Sequence, residues 1–83
     1  MENIQGILSK QEYGMIKIKL KQKMDECNIT RYRMSKLADT RFEVINKWYD
    51  GTVERIDVDI LARFCHVLNC QVSDIIEYIG VPD

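Results

Sequence analysis

Between Ile29 and Gly51 the chain reads ITRYRMSKLADTRFEVINKWYDG, with five cations, Arg31, Arg33, Lys36, Arg41 and Lys47, spaced through it. Such side chains neutralise phosphate oxygens, and arginine and lysine also donate to guanine O6 and N7. That chemistry needs a backbone held rigid beneath the charges. Met34, Leu37 and Ala38 in the first half, and Ile45 and Trp48 in the second, supply apolar positions at helical spacing. Asp39-Thr40 reads as a tight turn between two helices, and Asp50-Gly51 as the stop of the second. The segment therefore predicts two short helices sharing one buried face, with the start of the second left outward.

Other residue types with chemical potential are less well placed. Cys27, Cys65 and Cys70 are odd in number and spaced neither as a disulfide framework nor as a zinc knuckle. Adjacent Cys65 and His66 would point about 100° apart on a helix, so the thiols read as packing residues in a reducing compartment and no metal is expected. His66 is the only histidine, and Cys65, Val67 and Leu68 place it on a partly inward helix flank. The carboxylate pairs Asp57/Asp59 and Asp50/Glu54 are explained by helix capping and solvated surface. With no phosphate-gripping glycine loop, neither catalysis nor a cofactor is expected.

The composition, 46% apolar and 30% charged with one proline and four glycines in 83 residues, fits one small all-α domain. No apolar run approaches the ~20 residues of a membrane span. The start MENIQGILSK lacks the features of a signal peptide, so a cytoplasmic address is the expectation. A net charge of −1 conceals a polarised chain. Residues 15–36 carry seven Lys/Arg against two Asp/Glu, whereas residues 37–83 carry four against nine.

Residues 1–14 read as an N-terminal arm, with Ser9 and Glu12 spaced as a capping box and Ile4, Ile7 and Leu8 at helical intervals. One domain would then occupy residues 15–83. Met15 to Cys27 predicts a first helix with Ile16, Leu20, Met24 and Cys27 on one face, although Ile16, Ile18 and Leu20 also alternate as in a strand. Asn28 is placed to cap its end and Thr30 to start the second helix, residues 31–38. Thr40 is placed to cap the third, residues 41–49, and Asp57 the fourth, residues 58–68. The fourth would bury Leu61, Phe64, Cys65 and Leu68. After a break at Asn69-Cys70, a fifth helix over residues 72–79 would bury Val72, Ile75, Ile76 and Ile79, with Gly80 and Pro82 ending the pattern.

These motifs resemble the lambda-repressor and Cro-like (XRE) helix-turn-helix family of bacterial and phage regulators. The resemblance is carried by Ile29-Thr30-Arg31-Tyr32, Leu37-Ala38, Ile45, Trp48 and Asp50-Gly51. Its companion is Arg55-Ile56-Asp57-Val58-Asp59-Ile60-Leu61 followed by Leu68-Asn69-Cys70. It covers about four-fifths of the chain. It implies a compact five-helix domain that binds double-stranded DNA, as a homodimer, with the third helix in the major groove. Base edges would then meet Arg41, Phe42, Glu43 and Lys47, and phosphates Arg31, Arg33, Gly51, Thr52 and Arg55. Asp39 stands where many relatives have glycine, Asp50 where asparagine is common, and Phe42 and Glu43 where small polar residues are usual. The second reading is an antitoxin-like or accessory interaction protein on the same fold, binding another protein through the N-terminal arm or the acidic C-terminal half.

Overall fold

A computed structural model describes residues 13–81. The proposed capping box at Ser9 and Glu12, the spacing of Ile4, Ile7 and Leu8, and the stop at Pro82 lie outside them. The order of elements is β1 (Met15–Ile18), α1 (Leu20–Glu26), α2 (Arg31–Leu37), α3 (Phe42–Asp50), α4 (Val58–Leu68), a 3₁₀ turn (Val72–Asp74) and β2 (Ile76–Ile79). Among the described residues the architecture is thus four α-helices with a two-stranded sheet, which corrects the all-α, five-helix expectation.

All four helices end in the same way. The first residue after α3 and α4, and the second after α1 and α2, is left-handed, and its amide and the next turn back onto the last-turn carbonyls. Asn28, Asp39, Gly51 and Asn69 have φ of 58°, 49°, 74° and 50°. Ile29, Thr40, Thr52 and Cys70 each donate their backbone N–H to the carbonyl five residues earlier, at 2.9–3.0 Å. This is the Schellman arrangement, which satisfies carbonyls that a helix end would leave unpaired. Helix starts are less uniform. Thr30 Oγ1 accepts from the Arg33 amide at 3.1 Å, and Asp57 Oδ1 accepts from the Asp59 and Ile60 amides. Thr40 does not cap α3: its hydroxyl donates to the Ala38 carbonyl, and Arg41 occupies the N-cap position without a side-chain bond.

The core joins Leu20 and Met24 of α1, Met34 and Ala38 from α2, Ile45 and Trp48 of α3, Leu61, Phe64 and Leu68 of α4, and Ile75. Trp48 meets Phe64 edge-on, with ring centroids 5.1 Å apart and planes at 87°. Several positions expected in the core are not there. Ile16, Leu37, Val72 and Ile79 are exposed, Cys27 is exposed and Cys65 half-buried. His66 lies outward, not partly inward.

Both ends of the predicted helical series are strands. β1 pairs antiparallel with β2 in the register Met15↔Ile79, Ile16↔Tyr78, Lys17↔Glu77, Ile18↔Ile76. The Lys19 amide continues the ladder by donating to the Ile75 carbonyl at 2.6 Å. Two four-residue strands are marginal alone; Ile18 and Ile76 anchor these by packing on the core. The alternation of isoleucine and lysine is therefore a strand signal, and the β-branched run Ile75-Ile76 with Tyr78 and Ile79 favours extended backbone over a fifth helix. Gly14 precedes the sheet at φ 83°, where a Cβ would meet the Ile79 carbonyl; at Gly51 a Cβ would meet nothing. Gly51→Ala should cost about 1 kcal/mol from the left-handed backbone alone. Gly14→Ala should cost clearly more, since the strand pair must also part. Urea unfolding of the two variants measures the difference, and equal losses would contradict the close approach at Ile79.

Candidate nucleic-acid interface

Helix α3 has one face it must bury, set by Ile45 and Trp48. Rotating by 100° per residue puts Glu43, Asn46, Lys47 and Asp50 on the opposite side. Glu43, Lys47 and Asp50 are exposed and Asn46 is half-buried. Phe42 and Tyr49 flank Asn46 on the edge of α3 nearest the start of α2. Asn46 was not singled out from sequence, although an asparagine one residue before Lys47 on an outward face was the available signal.

Into that edge reaches Arg31, the first residue of α2. Its Nη1 donates to Asn46 Oδ1 at 3.0 Å, and its guanidinium carbon lies 4.8 Å from the Tyr49 ring centroid and 6.0 Å from that of Phe42. Lys21 of α1 approaches the same Tyr49 ring at 5.6 Å while pairing with Asp25 at 3.2 Å. Arg31 and Phe42 are therefore brought together as one cluster spanning α2 and α3. Arg33, two residues on and about 200° round the helix, is exposed away from it; only its backbone amide is engaged, by Thr30. Lys36 leans over the Tyr32 ring at 5.1 Å.

The remaining residues form a second group. Lys47, Thr52 and Arg55 line one surface groove with Glu54 and Asp57. The Thr52 amide donates to the Lys47 carbonyl at 2.9 Å, so the turn at Gly51 draws Thr52 under the end of α3. Arg41 and Glu43 form an ion pair at 3.4 Å, with both side chains mostly in solvent. The backbone amide of Glu43 itself, then the Arg41 guanidinium, holds this carboxyl below its ordinary value. A carboxylate lowered on folding contributes at neutral pH and loses that contribution as pH falls through the lowered value.

The turn between α2 and α3 is held from outside by Arg63 of α4, another residue that sequence reading passed over. Its Nη1 donates to the Ala38 and Asp39 carbonyls at 3.2 and 2.7 Å, and its Nε pairs with Asp59 at 3.0 Å. The signal in the sequence was the i, i+4 spacing of Asp59 and Arg63. The clamp gives the left-handed Asp39 a cationic donor on its own carbonyl. The thiols supply no comparable site. Burial, followed by nearby Cys65 and Asp74, pushes the Cys70 thiol up, and no group of three or more possible metal ligands occurs among the described residues.

Two short helices joined by a clamped turn, the second with a polar outward face, define a helix-turn-helix protein. The chain belongs to the Cro/C1-type helix-turn-helix DNA-binding domain family, whose family model matches residues 19–81. Among solved structures, the chain is similar in fold to that of a candidate DNA-binding protein from Bacteroides fragilis. The TM-score is 0.67 at 17% identity, covering 76% of this chain and all of the other. No curated protein sequence matches the chain. No helix among the described residues is long and apolar enough to cross a membrane.

Arg63→Ala should destabilise the domain by about 1–2 kcal/mol, as charge-assisted bonds on a partly exposed group are lost. Arg63→Lys should restore only part of this, because lysine cannot span two carbonyls and a carboxylate with one planar fork. Thermal unfolding by circular dichroism reads both; a full rescue by lysine would mean that charge alone, not the fork, holds the turn.

Proposed function

We propose that the protein is a sequence-specific transcriptional regulator, a repressor that inserts α3 into the major groove of duplex DNA as a homodimer. The observation that carries this reading is the outward face of α3, where Glu43 and Lys47 stand beside Asn46 on a helix whose opposite face is locked by Ile45 and Trp48. On this reading Arg41 and Lys47 donate to guanine, Glu43 accepts from a cytosine amino group and Phe42 touches a thymine methyl. Arg33, Arg55, Thr52 and the backbone at Gly51 hold phosphates. Arg31 contributes charge to the same surface while braced against Asn46.

The second copy is assigned to the open end of the sheet. Tyr13, Met15, Ile16, Tyr78, Ile79 and Val81 are exposed there, from 39% for Ile79 to 73% for Tyr13, with the pair Ile16 and Tyr78 on one face of the sheet and the pair Met15 and Ile79 on the other. A two-stranded antiparallel sheet suits a symmetric pairing, in which the same surface serves both copies.

Binding to duplex DNA should fall steeply with salt, with log K losing about 0.9 per tenfold salt for each phosphate neutralised. Absence of measurable binding at about 50 mM salt would remove the reading. Lys47→Ala should relax preference at one base pair, whereas Arg55→Ala should weaken all sequences alike and flatten the salt slope by about one phosphate. For the dimer, sedimentation equilibrium without DNA should give twice the mass of the chain. Ile16→Glu, at an exposed position, should give a monomer with an unchanged helical spectrum; a variant that still sediments as a dimer would place the interface elsewhere.

A further inference from the structure

We propose that Arg31 fixes the direction in which Asn46 reads DNA, turning it into a donor-only contact that selects guanine. This rests on the reading that α3 occupies the major groove. The argument begins with hydrogen-bond inventory. A guanidinium has five donors and no acceptor, whereas an asparagine amide has one of each kind of atom. The Asn46 atom that faces Arg31 Nη1 at 3.0 Å is therefore the carbonyl oxygen. Trigonal geometry then puts Nδ2 on the other side of the amide, away from Arg31.

Two further observations fix that orientation. The Arg31 guanidinium is held against the rings of Tyr49 and Phe42, which stand three residues after and four before Asn46. The oxygen is thus turned toward a group that cannot swing aside without leaving both rings. Nδ2 has no hydrogen-bond partner among the described residues. No buried side-chain nitrogen or oxygen among them lacks a partner, so this nitrogen opens to solvent. Asn46 shares the outward face with Glu43, Lys47 and Asp50.

The consequence is a change of specificity. An unconstrained asparagine recognises adenine in two parts, donating to N7 and accepting from the N6 amino group. With its oxygen committed inward, Asn46 keeps only the donating half. Guanine offers two acceptors, O6 and N7, on the same edge; adenine offers only N7, beside a donor, thymine only O4, beside a methyl group, and cytosine presents a donor that the amide cannot match. The contact therefore favours guanine over adenine, reversing the ordinary preference of the residue. Arg31 acts through Asn46 as a positioning residue.

The test is selection of bound sequences from a random duplex pool, followed by competition binding on the selected site, with the full chain. The wild-type protein should require guanine at one half-site position. Arg31→Met keeps the apolar stem between the rings and removes the donors; it should shift that one position toward adenine, with discrimination changing on the order of tenfold. Asn46→Asp keeps the acceptor for Arg31 but has no donor, and should lose the guanine requirement there while retaining the others. Thermal unfolding of each variant confirms that it is folded, and Asn46→Asp carries the test alone if Arg31→Met is not. Uniform weakening across all sequences, with base preference unchanged, would overturn the proposal while leaving DNA binding intact. Failure of the wild-type protein to bind any duplex would overturn both.

Discussion

The edge-to-face packing of Trp48 on Phe64, at 5.1 Å and 87°, is the contact on which the interface depends. Trp48 is 2% exposed and Phe64 fully buried. Truncating either ring would cost about 3–5 kcal/mol, a large part of the ~5–15 kcal/mol that holds a small domain together. The contact also fixes a rotation. Once Trp48 faces α4, helical periodicity puts Ile45 beside it and leaves Glu43, Asn46, Lys47 and Asp50 no direction but outward. The same α4 carries Arg63 one residue before Phe64, so the helix that buries α3 also clamps the turn that sets its angle to α2.

Net charge is a poor guide to the field at this surface. Much of the acid in the second half of the chain is occupied within the fold: Asp57 caps α4, Asp74 accepts the Gln71 amide, Glu77 pairs with Lys19 and Asp59 with Arg63. In the first half, Asp25 and Glu26 pair with Lys21 and Lys23 on α1. Among the described residues Lys17, Arg31, Arg33, Lys36, Lys47 and Arg55 take part in no ion pair, and all of these but Lys17 lie on or beside the two helices of the motif. Asp39, Glu43, Asp50 and Glu54 also lie on or beside the motif, so its surface is mixed in charge, with six Lys/Arg against four Asp/Glu over residues 29–55.

What the sequence makes legible follows from how local the cause is. Thr30, Asp57, Asn28, Asp39, Gly51 and Asn69 act within a few residues of themselves, and each marks the boundary its chemistry implies. The α3 core pins follow from periodicity alone. The strands do not, because β1 and β2 lie about sixty residues apart and neither is stable without the other. In isolation Met15–Ile18 is a set of isoleucines and lysines acceptable to helix or strand, and only its partner decides. Leu37 and Ile16 are exposed for a related reason: the crossing of neighbouring elements, not the residue's own hydropathy, determines what is covered. The Arg31 cluster is similarly hidden. It joins residues fifteen apart through the angle between two helices, and no spacing rule on one strip of sequence reports that angle.

Arg31 and Arg33 make the same point chemically. They are the same residue type two positions apart at the start of one helix, and composition counts them equally. Half a turn of helix separates their fates, one held by an amide and two rings, the other in solvent. Each contact on Arg31 is worth little at an exposed site, about 0.5–1 kcal/mol for a ring beneath a cation. They act on one rigid planar group, however, so the entropy of immobilising it is lost only once. A braced arginine then immobilises Asn46 before any DNA arrives, and a side chain already ordered costs less to use in binding. The cation that looks most available for a phosphate is thereby the one most committed to the protein, and its commitment gives the neighbouring amide a direction.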